Sequence, residues 1–285
     1  MSAEFIAFAD GGFQVDDNGS NNINQSGVTH VAWCWEAGGS GSSNTDGSVT
    51  STVSASTTSG FSIVTWTHQT SSNYTVGHGL GAVPKMILVK TRDQGTNWGV
   101  YHSDITVGNR LILNTTSAQT TGYWGANTWN STVFSIGSAR DADGSDAVAY
   151  CFADIEGFSK FGSYEGNGST DGPFVYTGFK PRFVMMKRYD STESWPILDT
   201  ARGSGNFGSD AGTGGTDPTA GNDLNAVLVA STSAAEEDNP TGSRRASYLS
   251  NGFKVRTTNT AMNASGGDYI YMAFAESPFK TATAR

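Results

Sequence analysis

The side chains of this chain that could do chemistry are few and scattered. DADGSD (141–146) places Asp141, Asp143 and Asp146 in one turn, and closely spaced carboxylates in a turn can offer hard oxygen ligands to calcium. The pattern departs from an EF-hand loop, because its glycine comes too early and the bidentate glutamate is missing. The corresponding turns elsewhere, DDNGSNN (16–22) and TNTAMNASGGD (258–268), have different acidic content, so a shared hairpin turn explains all three without a metal. Beyond this candidate Ca2+ position no cofactor is expected. His30, His68, His78 and His102 include no close pair at metal-ligand spacing, and an ungapped comparison sets Val175 opposite His78. There is no G-x-S-x-G elbow and no Cys–His arrangement with an orienting acid. Asp154 and Glu276 follow similar apolar runs, which suits an architectural role better than the cleft-flanking pair of a glycosidase. These readings point away from an enzyme. The loop TTGYWGANTWN (120–130) is the best candidate binding surface, through Tyr123, Trp124 and Trp129. Its rings suit stacking on a sugar or a protein partner, and core burial is the equal alternative.

The elements that must position these residues are strands. Gly, Ser, Thr and Asn together make 122 of the 285 residues, and charged residues only 15%. Helices are built from other residues, while aromatics at 11% and recurrent Val/Ile/Phe runs argue against disorder. A net charge of −9 argues against a phosphate-backbone binder, so no nucleic-acid partner is expected. No apolar run is long enough to insert in a membrane. The N-terminus carries acidic residues without the basic start of a secretory signal, which predicts synthesis without Sec-type export. Cys34 and Cys151 could form at most one disulfide, and each lies in an apolar run (VAWCW, VAYCF) that suits a buried free thiol. A protein composed for the outside but made without export fits a virus particle released by lysis.

Self-similarity organises the chain. Residues 61–98 align without a gap on 158–195, at a constant offset of 97. Gly81 falls on Gly178, Pro84 on Pro181, Lys90 on Lys187, Asp93 on Asp190 and Trp98 on Trp195, the last pair reading as core. LILN, VFSIG and AVAYCFAD then recur in order as VLVA, GFKVR and YIYMAFAE. GFQV (12–15) and THVAWCW (29–35) read as a third, partial copy that would make Cys34, Cys151 and Ala273 equivalent core positions. The predicted architecture is all-β, with tandem jelly-roll-like β-sandwich units from internal duplication. Its domains are a partial unit over 1–59 and full units over 60–157 and 158–285, with a surface-loop insertion at 203–223. In the connection 38–60 the alternating TSTVSAS suggests an edge strand, and 233–238 is the one place read as a helical turn.

Several segments make a family resemblance visible: SNTDGSVTSTVSASTTSGFSIVTW (43–66), VGHGLGAVPKMILVK (76–90), the run 148–188, and YIYMAFAESPFK (269–280). They resemble an uncharacterised repeat domain family of structural proteins in marine tailed bacteriophages, where it often follows a laminin-G-type jelly roll in tail fibres. The resemblance covers roughly residues 12–285 and brings no catalytic residues with it. It implies a non-enzymatic virion structural protein, exposed on the particle, serving as a tail fibre or in host adhesion and receptor binding. A capsid-decorating or head-fibre protein is the nearest alternative, followed by a carbohydrate-binding module or glycan hydrolase. The expected partners are further copies of the chain in a homo-oligomer, a trimer by analogy with phage fibres, other virion proteins, and a host surface glycan or protein.

Overall fold

Short apolar alternations between Gly and Asx turns yield a computed structural model in which 45% of the described residues are strand and essentially none are helix. It describes residues 5–9, 12–15, 26–69, 73–122, 124–125, 129–137, 144–202, 223–238 and 243–277. The chain divides into two units, 1–35 and 36–285. In the first, β1 (Phe5–Ala9) and β2 (Gly12–Val15) form an antiparallel hairpin, with Phe8 opposite Phe13. THVAWCW holds no strand, and Cys34 is exposed while Cys151 is buried, so the expected three-way core equivalence does not hold. A strand exists only as part of a hydrogen-bonded ladder, which apolar composition does not by itself create.

The second unit contains two sandwiches. The first has β3 (Ser42–Asn44), β4 (Ser51–Ser56), β5 (Phe61–Thr67), β6 (Tyr74–Gly77), β7 (Met86–Thr91), β8 (Gly99–His102), β9 (Asn109–Ile112), β10 (Thr120–Thr121), β11 (Val133–Ile136) and β12 (Asp146–Phe152). The second has β13 (Ser159–Glu165), β14 (Phe174–Tyr176), β15 (Pro181–Arg188), β16 (Pro196–Asp199), β17 (Asp223–Leu224) and β18 (Ala226–Val229). It continues through β19 (Glu237–Asp238), β20 (Ala246–Leu249), β21 (Gly252–Val255), α1 (Thr260–Asn263) and β22 (Asp268–Ala275). The order β10-β9-β8-β7-β12-β5 in the large sheet of the first recurs as β19-β18-β16-β15-β22-β13 in the second. The small-sheet pair β11-β6 recurs as β21-β14. Duplication is thus written in the strand order as well as in the sequence.

Each large sheet buries one face against its small sheet. Ala147, Ala149 and Cys151 of β12 point into the first core, and Tyr271, Ala273 and Ala275 of β22 into the second. The alternate residues turn the other way and pack the two large sheets together. Phe152 meets Phe161 and Phe274, with ring centroids 5.8 and 6.1 Å apart, and Trp195 Nε1 donates to the Ile112 carbonyl at 3.0 Å. For this reason the sandwiches expected as separate domains form one compact unit. Residues 36–59, expected with the N-terminal part, belong here too, because β3 and β4 extend the first large sheet beyond β5. TSTVSAS supplies β4, which lies inside the sheet rather than at its edge.

Strand register corrects the ungapped comparison. Phe61 and Ser159 hold the same place, opposite Phe152 and Phe274, so β13 is displaced by one residue. Val76 opposite Phe134 matches Val175 opposite Phe253, a displacement of two that sets Thr177 opposite His78 in place of Val175. The slip lets packing differ: the cross-strand pair Val64–Ala149 of one core becomes Gly162–Tyr271 in the other. A Cβ on Gly162 would lie 2.8 Å from the Tyr271 hydroxyl, so the glycine makes room for the ring. The helical turn forms at Thr260–Asn263, where Asn259 accepts the Ala261 amide, and not at 233–238, where Glu237–Asp238 pairs as β19.

Candidate functional site

The binding loop read from the sequence is tied into the first core. Trp124 is buried and bridges Ile136, at the place where the second sandwich has Ala246 opposite Val255. Trp129 is half-buried and stacks on Tyr101 at 4.0 Å, with Trp124 edge-on at 5.3 Å. Trp124 therefore takes the core alternative, and Trp129 packs against the same core while partly open to solvent. Tyr123 lies outside the described residues, as does most of the insertion, 203–222. Of the calcium candidates, Asp141 and Asp143 also lie outside them. Asp146 is exposed at the start of β12, where its amide donates to Asp93 at 3.3 Å. Asp190 accepts the Asp268 amide at 3.3 Å in the second sandwich, so this repeated aspartate ties down the closing strand in both. Among the described residues no group of three His, Cys, Asp or Glu could hold a metal.

Three of the histidines are buried braces. His78 Nδ1 accepts the Leu80 amide at 3.2 Å while Nε2–H donates to the Asn130 carbonyl at 3.1 Å. Thr177, its counterpart, holds Phe179 in the same two-residue turn. His102 repeats the device: Nδ1 accepts the Asp104 amide at 3.2 Å, and Nε2–H donates to Tyr271 O at 3.3 Å, across the sheet interface. Asp199 stands in its place in the second sandwich and accepts the amides of Ala201 and Arg202, each at 3.0 Å. Burial drives the His102 pKa down to about 4, and lowers that of His78. His68 lies on the Tyr74 hydroxyl, which also takes the Trp66 indole N–H at 3.1 Å.

The repeated lysines have one job, done to different depth. Lys90 Nζ donates to the carbonyls of Thr91 and Gln94, both at 2.7 Å, closing its own hairpin loop. Lys187, fully buried, binds Arg188 O, Ser191 O and Glu193 O at 2.6, 3.4 and 2.8 Å, and adds Thr116 O of the first sandwich at 3.2 Å. Burial pulls its pKa down to about 8. The same asymmetry buries Trp195 but leaves Trp98 only half-buried, stacked on Tyr150, so the expected core pair is core on one side alone.

One surface that sequence reasoning missed stands on β14. Phe174 and Tyr176 flank the buried Val175, and are 44% and 65% exposed. Beside them Lys254 pairs with Asp171 at 2.8 Å, and Arg256 approaches the same carboxylate at 3.6 Å. The signal available in the sequence was the alternation in FVY, aromatic on both sides of a valine, where YTVG of the first copy has small residues.

No curated protein and no solved structure matches the chain. Residues 1–278, close to the full length, match the model of one family, described as Domain of unknown function (DUF7483), and the chain belongs to that family.

Proposed function

We propose that this protein is a non-enzymatic structural protein of a tailed-phage virion, a tail-fibre or host-adhesion component displayed on the particle as a homo-oligomer. The observation that carries the reading is how the chemically able groups are engaged. His78 and His102 are bound at both ring nitrogens inside the fold, and Lys187 is enclosed by carbonyls, so these groups serve as braces. The resemblance of residues 43–66, 76–90, 148–188 and 269–280 to phage structural proteins supports the setting. A duplicated sandwich, rich in small polar residues, suits a particle surface. Gold-labelled antibody against the protein should decorate the tail in electron micrographs of intact particles. Tail-free capsids that keep the full copy number would overturn the tail assignment.

A further inference from the structure

We infer that the outward face of β14 and β21 is a carbohydrate-binding platform, on which sugar rings stack against Phe174 and Tyr176. The inference rests on the adhesion reading and names a surface and a ligand class for it. The two sandwiches differ sharply at this place. In the first, residues 44–51 run along β6. Val49 donates to Thr75 O at 3.3 Å, Ser48 and Thr75 exchange amide-to-hydroxyl bonds of 2.9 Å each, and Ser51 Oγ donates to Gly77 O at 2.9 Å. A Cβ on Gly77 would collide with the Asn44 side chain, at 1.7 Å. The second sandwich passes from β12 to β13 through residues 153–158, and its described residues hold no counterpart of that segment. At the register positions of Thr75 and Gly77 it carries Phe174 and Tyr176.

Both rings lie against glycines. Phe174 reaches over Gly252, whose added Cβ would meet the ring at 2.9 and 3.0 Å, and the Tyr176 hydroxyl and ring edge lie 3.6 Å and 3.8–3.9 Å from such a Cβ on Gly178. Both stand on the exposed side of β14, their Cα atoms about 6.6 Å apart along the strand. The weakly positive C–H face of a pyranose complements the negative face of an aromatic ring. Lys254, directly opposite Phe174, and the 79%-exposed Asp171 supply a donor and an acceptor for hydroxyls at the rim. A second copy of the chain is a poorer occupant. The two rings expose on the order of 200 Å², against roughly 800 Å² per partner in a stable dimer, and the ionic rim would have to be desolvated.

The test uses the full chain, with biolayer interferometry against immobilised lipopolysaccharide O-chains, peptidoglycan fragments, chito-oligosaccharides and β-glucans. Wild type should bind at least one of these. Tyr176→Ala should weaken that binding at least tenfold and Phe174→Ala severalfold, with melting temperatures unchanged, while Val107→Ala, at a 72%-exposed control site, binds as wild type. Absence of binding to every glycan overturns the inference, as does a Tyr176→Ala variant that binds as wild type or whose only effect is to dissociate an oligomer. Adhesion of labelled chain to host cells separates the two readings. Equal adhesion by wild type and Tyr176→Ala defeats the platform alone. Tyr176-dependent glycan binding without cell adhesion defeats the adhesion reading alone.

Discussion

Acidification should loosen the contact between the two large sheets through one side chain, His102. The imidazole is fully buried and neutral, with its single proton on Nε2 facing Tyr271 O and its Nδ1 lone pair taken by the Asp104 amide. A second proton would set N–H against N–H at Nδ1. Asp104 and Asp154 favour the charged form and Lys85 opposes it, but burial outweighs them and holds the pKa at about 4, against 6.5 for a free histidine. Between those values the unfolded chain binds more protons than the folded one. Stability is therefore fully present above pH 6.5 and falls as the pH drops towards 4. From the two pKa values the loss is about 2 kcal/mol at pH 5 and about 3 kcal/mol at pH 4. His78, also depressed, adds a loss of the same sign, so the measurement must be differential. His102→Gln keeps an acceptor and a donor but has no proton to gain. Urea unfolding of both proteins from pH 7 to pH 4 should show wild type losing about 2–3 kcal/mol more than the variant. Parallel stability curves would refute the reasoning and assign the acid sensitivity to other groups.

Two further predictions concern packing. Trp124→Ala should cost about 3–5 kcal/mol and lower the melting temperature by roughly 10 °C in a thermal scan; an unchanged melt would remove Trp124 from the core. Gly162→Val should destabilise by driving a side chain into Tyr271, and Tyr271→Ala in the same chain should recover part of the loss by recreating the Val64–Ala149 pair. A double-mutant cycle from denaturant unfolding should give a coupling of about 1–3 kcal/mol, and additivity would count against the register.

The repeat was legible because the strand faces and turn glycines of one copy had to reappear in the other. Lys90/Lys187 and Asp93/Asp190, matched by spacing alone, prove to be the same loop closure and the same strand tie in both sandwiches. The slips in β13 and β14 were illegible, since a one- or two-residue shift leaves the apolar count intact and shows itself only in which residue faces which across a ladder. THVAWCW misled for a related reason: its composition is that of a strand, and composition cannot supply a partner.

For the candidate site the division is sharper. Sequence by itself determined an all-β, duplicated chain, because small polar residues, turn glycines and apolar runs of strand length permit little else. It located the aromatic residues but not which of them meet solvent. Trp124 and Trp129 lie in a Gly/Asn-rich stretch that looks like a surface loop, yet that stretch bridges Ile136 and its rings close a core. Phe174 and Tyr176 alternate with the buried Val175 and face the other way, and among the described residues the second sandwich has no copy of the segment 44–51 that runs along β6. Burial depends on what the rest of the chain lays over a residue. That is a property of tertiary packing, and here it exchanged the roles of the two aromatic groups.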